Sequence, residues 1–116
     1  MHISMNISGK DEIEKMVGII LLGLLTAVEE KVISIDDSED YLFNPYTSRI
    51  FSELGLNNKI IKVIEEGWEL DALRILNPIS FDKEILKFKK EIIELLKQMP
   101  SSKSSKKELI TEYKLE

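Results

Sequence analysis

The alternation of apolar and polar residues divides the chain into segments with the period of a strand and segments with the period of a helix. Residues 1–8 alternate at period two, which predicts a half-buried β-strand. From residue 9 or 10 to about residue 30, the sequence predicts a helix that is apolar on almost every side. Because such a helix needs neighbours all around it, we expect this first helix to be the central element of the core.

Capping residues separate the first helix from a short second one. Ser8 with Asp11 has the spacing of a cap for the first helix, and Asp36 with Glu39 has the same spacing at the start of a helix that ends near residue 42. Residues 32–35, between the two helices, are rich in β-branched side chains and predict a short strand.

Prolines and glycines set the boundaries in the middle of the chain. Pro45 suits the first position of a helix, so a third helix is expected over residues 46–53, ended by Gly55. Asn57 or Asn58 then caps a fourth helix that closes at Gly67, and residues 68–76 predict a short fifth helix.

The sixth helix has the clearest pattern. We expect Ser80 or Asp82 to cap it, and apolar residues then recur at steps of three and four at Ile85, Phe88, Ile92, Leu95 and Met99. After Pro100, residues 101–107 have the composition of a flexible basic linker. Residues 109–115 alternate again and predict either a strand that pairs with the amino-terminal strand or a disordered tail.

These elements predict a mainly α fold. We expect a compact bundle of five to six helices around a buried first helix, with a small β element from the amino-terminal strand, residues 32–35 and the carboxy-terminal tail. A chain of 116 residues supports one core. We therefore expect a single helical domain over residues 1–100, followed by a flexible Ser/Lys linker and tail over residues 101–116.

Composition argues against most catalytic chemistry. The chain has no cysteine and a single histidine, His2, so a thiolate nucleophile, the usual general base and most transition-metal sites are missing. The acidic residues from Asp36 to Asp40 lack the alternation and the glycine of a calcium-binding loop. We therefore expect a chain that is not an enzyme, with no catalytic residues, no cofactor and no metal.

The charge is unevenly distributed and favours a protein partner. Residues 1–81 carry 7 basic and 14 acidic side chains, whereas residues 82–116 carry 9 basic and 7 acidic ones. An acidic surface repels phosphate, so nucleic acid is not the expected partner. The longest apolar run, residues 16–28, is too short for a membrane span and lacks the preceding basic residues of a signal peptide. We therefore expect a cytoplasmic protein that does not bind membranes.

Four residues are candidates for contact with that protein partner. Asn44, Tyr46 and Arg49 lie around an Asn-Pro turn, and Trp68 lies at a later helix junction. Aromatic and arginine side chains contribute most of the binding energy at interfaces. The structural alternatives are that Asn44 bonds to the backbone of its turn and that Trp68 belongs to the core.

Small residues on the first helix allow another backbone to come close. Gly18, Gly23 and Ala27 favour packing against another helix of the same chain, with a homodimer seam as the alternative. The apolar stripe of the sixth helix has the same two interpretations.

Several short blocks resemble a family of small, uncharacterised bacterial helical proteins, a domain of unknown function. The resemblance covers about residues 10–80, and the blocks are Leu21-Leu22-Gly23-Leu24-Leu25, Val32-Ile33-Ser34-Ile35, Leu42-Phe43-Asn44-Pro45-Tyr46-Thr47 and Leu54-Gly55-Leu56. It implies a cytoplasmic helical domain and includes no catalytic motif. In general character, the chain also resembles the small acidic immunity proteins that neutralise bacterial toxins.

The sequence therefore favours a non-catalytic protein-binding module, immunity- or antitoxin-like in its most concrete form. The alternative is a small helix-turn-helix-like transcriptional regulator, because Gly55 separates two short helices. Against it, the second of these helices carries Glu65 and Glu66 and no arginine. A third possibility is a ligand-sensing domain with an apolar pocket beside Trp68.

Overall fold

Residues 1–100 and 109–116 are described by the structure, a computed structural model, and they form six helices and a two-stranded sheet. This confirms the mainly α fold and the number of helices. The elements in chain order are β1 (His2–Met5), α1 (Lys10–Glu29), α2 (Ile35–Tyr41), α3 (Pro45–Glu53), α4 (Asn58–Gly67), α5 (Leu70–Leu76), α6 (Pro78–Gln98) and β2 (Ile110–Lys114).

The two long helices, α1 and α6, pack along each other and form the centre of the fold. Leu21 and Leu25 of α1 are completely buried in the same cluster as Ile85 and Ile92 of α6. One side of α1 nevertheless lies on the surface, where Ile19 is 50% exposed. The first helix is therefore central, as predicted, but one side of it is not covered by the other elements that the structure describes.

Gly18 of α1 lets α6 come close, which is the intramolecular use expected of small residues. A Cβ atom on Gly18 would lie 2.9 Å from Cδ2 of Leu96. Gly23, one and a half turns later, is exposed and would place a Cβ in open space. The homodimer seam at Gly23 and Ala27 therefore stays a prediction.

The predicted strand at residues 32–35 is wrong, because residues 32–34 lie in the turn after α1 and Ile35 begins α2. Lys31 adopts a positive φ of 60°, and the N–H groups of Val32 and Ile33 then donate to the Ala27 carbonyl at 2.8 and 3.3 Å. The run thus satisfies a carbonyl at the end of α1, as helix ends require. Ser34 caps α2 in a capping box with Asp37, so the predicted cap at Asp36 is also wrong.

Two Asn-Pro pairs begin helices in the same way. Asn44 accepts a hydrogen bond from the Thr47 N–H, and Asn77 accepts one from the Ser80 N–H, in each case with proline at the first helical position. Helix α6 therefore begins before the predicted caps at residues 80 and 82. Asn77-Pro78 has the same sequence pattern as Asn44-Pro45, which correctly predicts the start of α3. At the start of α1 the N-cap is Gly9, which makes no side-chain hydrogen bond, so the predicted Ser8 cap is wrong.

The predicted pairing of the two terminal strands is confirmed. β1 and β2 are antiparallel, with Ile3 opposite Tyr113 and Ser4 opposite Glu112, and the register shifts between Ser4 and Met5. The predicted linker at residues 101–107 lies outside the described residues. No helix within residues 1–100 and 109–116 is long and apolar enough to cross a membrane.

Candidate protein-binding surface

The α2–α3 corner, residues 41–49, is fixed to the core from inside. Phe43 is 1% exposed, and its ring packs against the backbone of Gly67 at the end of α4. On either side of this buried ring, Tyr41 and Tyr46 are 64% and 65% exposed. The buried Phe43 therefore anchors a turn on which Tyr41 and Tyr46 are exposed.

Asn44 has a structural part in this corner. Its Nδ2 donates to the Glu39 carbonyl at 2.7 Å, and its Oδ1 accepts from the Thr47 N–H at 2.9 Å. These bonds join the end of α2 to the start of α3 and occupy the amide in both directions. Asn44, one of the four predicted contact residues, therefore stabilises the corner through hydrogen bonds from its side chain to the backbone.

Tyr46 and Arg49 form a pair on the outer face of α3. They are one turn apart, and the Arg49 guanidinium carbon lies 5.5 Å from the centre of the Tyr46 ring. This geometry is that of a cation–π interaction, which restricts the rotamers of both side chains. Both residues are exposed. The structure therefore brings together two of the predicted contact residues.

The inner face of α3 is attached to α4. Thr47 and Ser48 are buried, and the Ser48 hydroxyl donates to a carboxylate oxygen of Glu65 at 3.1 Å. This bond fixes the rotation of α3, so that Tyr46 and Arg49 point away from the core. The sequence does not predict this contact of Glu65, because Ser48 lies on a different helix.

Trp68 follows Gly67 at the end of α4 and is half-buried against the core cluster. This is the structural alternative considered for Trp68. Since Phe43 packs on Gly67, the end of α4 that carries Trp68 lies behind the α2–α3 corner. Trp68 therefore packs beneath the corner and contributes less to its outer surface.

An acidic group borders the corner on α2 and α5. Asp36, Asp37 and Asp40 are exposed on α2, whereas Glu39 of the same helix is half-buried and lies near Asp71 of α5. Burial raises the pKa of the Glu39 carboxyl above its ordinary value of 4.5. The carboxylates of Asp36, Asp71 and Asp40 raise the same pKa further. Sequence spacing placed Asp36 near Glu39, but Asp71 is brought there only by the packing of α5.

The family described as "Protein of unknown function (DUF3969)" matches residues 8–111, from the start of α1 to the first residues of β2. The chain belongs to this family. The resemblance to an uncharacterised family is thereby confirmed, and the match includes the whole α2–α3 corner. No curated protein and no solved structure matches the chain.

The turn between α3 and α4 has the glycine that a helix-turn-helix requires, but α4 carries balanced charges. Gly55 has a φ of 70°. On the exposed side of α4, Lys62 lies 3.8 Å from Glu66, and Glu65 is bonded to Ser48. In this member of the family, the helix that would enter a DNA groove therefore presents carboxylates beside its lysines.

A groove of about 640 Å³ lies between α5 and α6, and Trp68 is not among the residues that line it. Leu73, Leu76 and Phe88 form its apolar part, with Glu66 and Glu84 at its polar edge. The apolar pocket proposed beside Trp68 is therefore not this groove.

Across residues 1–100 and 109–116, no cluster of three or more His, Asp or Glu side chains has the arrangement of a metal site.

Proposed function

We propose that this chain is a non-catalytic protein-binding module that contacts its partner through the outer face of the α2–α3 corner. The observation that carries the proposal is the exposed Tyr46–Arg49 pair, stacked at 5.5 Å on a helix whose inner face is bonded to α4. Tyrosine and arginine are enriched among residues that dominate binding energy. Because the two side chains already contact each other in the free chain, we expect binding to lose less side-chain entropy.

Tyr41 and the acidic side chains of α2 extend the proposed surface. An aromatic centre with a charged rim is the usual anatomy of a specific interface. The rim of Asp36, Asp37 and Asp40 is acidic, which favours a partner with a basic surface and accelerates their encounter. An acidic surface that docks on a basic protein is compatible with an immunity- or antitoxin-like role, which is the most concrete form of the proposal.

The non-catalytic part of the proposal rests on the chemistry of the sequence. The chain lacks cysteine, and its one histidine, His2, lies exposed on β1. The buried polar side chains Glu14, Ser38 and Ser48 all hydrogen-bond within the fold. A cytoplasmic location is part of the same proposal, since the expected partner is a cytoplasmic protein. Turnover of a substrate by the pure protein would overturn it.

Affinity capture from the native cell lysate tests the surface. The bait is the full chain, compared with Arg49→Glu, Tyr46→Ala and the control Lys90→Glu, which changes an exposed cation on α6. We expect a partner at fixed stoichiometry that both corner variants lose and the control retains. The purified pair should then show at least a tenfold weaker affinity with Tyr46→Ala, about 1.4 kcal/mol.

Two outcomes would contradict the proposal. Capture of the same partner by Arg49→Glu and Tyr46→Ala would place the contact elsewhere on the molecule. Capture of nothing, together with a salt-dependent shift of duplex DNA, would favour the helix-turn-helix alternative instead. The balanced charges on α4 support that alternative less well than the corner supports protein binding.

A further inference from the structure

The sheet formed by β1 and β2 is small and largely unsupported. A two-stranded antiparallel sheet is marginally stable in water by itself, and a third strand or a packed face normally stabilises it. Contacts of β1 and β2 are mainly with each other and only sparsely with the helices. With respect to residues 1–100 and 109–116, both outer edges of the sheet therefore offer unpaired backbone groups to another strand.

The two faces of the sheet differ in polarity. The register places Ile3 beside Tyr113 and Met5 beside Ile110 on one face, and these four side chains are 49–71% exposed. Glu112 lies opposite Ser4, and Lys114 opposite His2, on the other face. An added strand would extend both the apolar face and the polar face.

The outer edge of β2 is complementary to itself. If two β2 strands pair antiparallel with Tyr113 opposite Tyr113 of a second copy, residues one position away on each side also become partners. Glu112 then lies opposite Lys114 of the second copy, and Lys114 lies opposite its Glu112. Oppositely charged residues directly across two strands attract, and paired aromatic rings add to the contact.

The edge of β1 has no such property. Its residues, His2–Met5, contain no acidic side chain, so self-pairing of β1 would form no ion pair. Charged residues on an edge strand ordinarily prevent pairing, because like charges meet. On β2 the spacing of Glu112 and Lys114 by two residues converts the same charges into attractive pairs.

We propose that two copies of this chain associate through β2 about a two-fold axis at Tyr113. The product is a four-stranded antiparallel sheet in the order β1-β2-β2-β1, in which each copy supplies a hairpin-like pair of strands. The contact is isologous, as in most homodimers. It is small, so we expect a weak dimer that forms in the range from about 10 μM to about 1 mM.

Charge exchange at the two paired positions tests this geometry. Sedimentation equilibrium should show a concentration-dependent dimer for the full chain. Glu112→Lys alone, or Lys114→Glu alone, brings like charges together at both pairs, and each should raise the dissociation constant at least tenfold. A mixture of the two single variants should form a heterodimer, because every pair is then again one acid and one base. The double variant Glu112→Lys/Lys114→Glu should also dimerise.

The matched controls are Glu94→Lys and Lys97→Glu, the same exchanges on two exposed residues of α6 that form an ion pair at 3.7 Å. These should leave the dissociation constant unchanged. Circular dichroism verifies that each variant keeps its helical content. A chain that stays monomeric at the highest concentration, or a dimer that the single variants and their mixture leave unaltered, would overturn the proposal.

Discussion

The ring of Phe43 lies directly on the backbone of Gly67, so that the α2–α3 corner and the end of α4 touch without an intervening side chain. A Cβ atom at position 67 would overlap Cδ1 of Phe43 and lie 2.7 Å from Cε1. Phe43 is 1% exposed and lies in the packed core. This one contact therefore sets the distance between the proposed binding surface and the core.

Gly67→Ala should lower the free energy of unfolding by about 1–3 kcal/mol, because the Phe43 ring must shift in a packed core. The matched control is Gly23→Ala, which adds a methyl group in open space within the exposed face of α1. Alanine favours a helix interior over glycine by about 0.5–1 kcal/mol, so this variant should be more stable than the wild type. Urea unfolding measures both. A stabilising Gly67→Ala would show that Phe43 does not pack on the glycine.

The sequence predicted those elements whose signals are local. The stripe from Ile85 to Leu95 identified α6, and period-two alternation identified β1 and β2. The predicted strand at residues 32–35 is wrong, because β-branched composition does not distinguish a strand from a turn between two helices. The decisive feature is the positive φ of Lys31, which propensity does not encode.

The candidate surface was predictable only in part. Tyr46 and Arg49 are one helical turn apart in a helix that proline and glycine delimit, so their proximity follows from the sequence. The approach of Asp71 to Glu39 and the bond from Ser48 to Glu65 join different helices. Such contacts depend on tertiary packing, which the periodicity of apolar residues along one sequence does not specify.

Glu14 is a buried carboxylate whose partner is the backbone. It is 9% exposed on α1 and accepts a hydrogen bond from the Asn57 N–H just before α4. Glu14→Ala should lower the free energy of unfolding by about 1–3 kcal/mol, because a donor is left without its acceptor. Glu14→Gln, which retains an acceptor oxygen, should cost less. Glu30→Ala, an exposed glutamate beyond the same helix, should change the value by less than about 0.5 kcal/mol.

Variants of Asn44 distinguish a structural role of this residue in the α2–α3 corner from direct contact with a partner. Asn44→Ala removes both backbone bonds and should lower the free energy of unfolding by about 1–2 kcal/mol. Asn44→Asp keeps the acceptor for the Thr47 N–H and loses only the donor to the Glu39 carbonyl, so it should be intermediate. If Asn44→Ala leaves thermal unfolding unchanged, the cap is not a stabilising element and Asn44 is free to act at the surface.

Glu39 should make a pH-dependent contribution to stability, whose sign follows from its raised pKa. Burial and neighbouring carboxylates favour the protonated acid in the folded chain. The folded state therefore binds this proton more tightly than the unfolded state, and the contribution becomes unfavourable as pH rises through the folded pKa. At pH 7, Glu39→Gln should raise the free energy of unfolding by about 0.5 kcal/mol, the size of a like-charge interaction on a helix surface.

The same variant tests whether Asp71 of α5 is part of the cause. The stability difference between Glu39→Gln and the wild type should shrink as pH falls through the raised folded pKa toward and below the ordinary value of 4.5, because Glu39 takes up its proton in the folded state first and then in the unfolded state. In an Asp71→Asn background, the gain from Glu39→Gln at pH 7 should be smaller, since one repulsive charge has already been removed. Urea unfolding of the four proteins between pH 4 and pH 7 measures both effects. A gain independent of pH would exclude titration of Glu39 as its origin, and a gain unaffected by Asp71→Asn would exclude repulsion between α2 and α5.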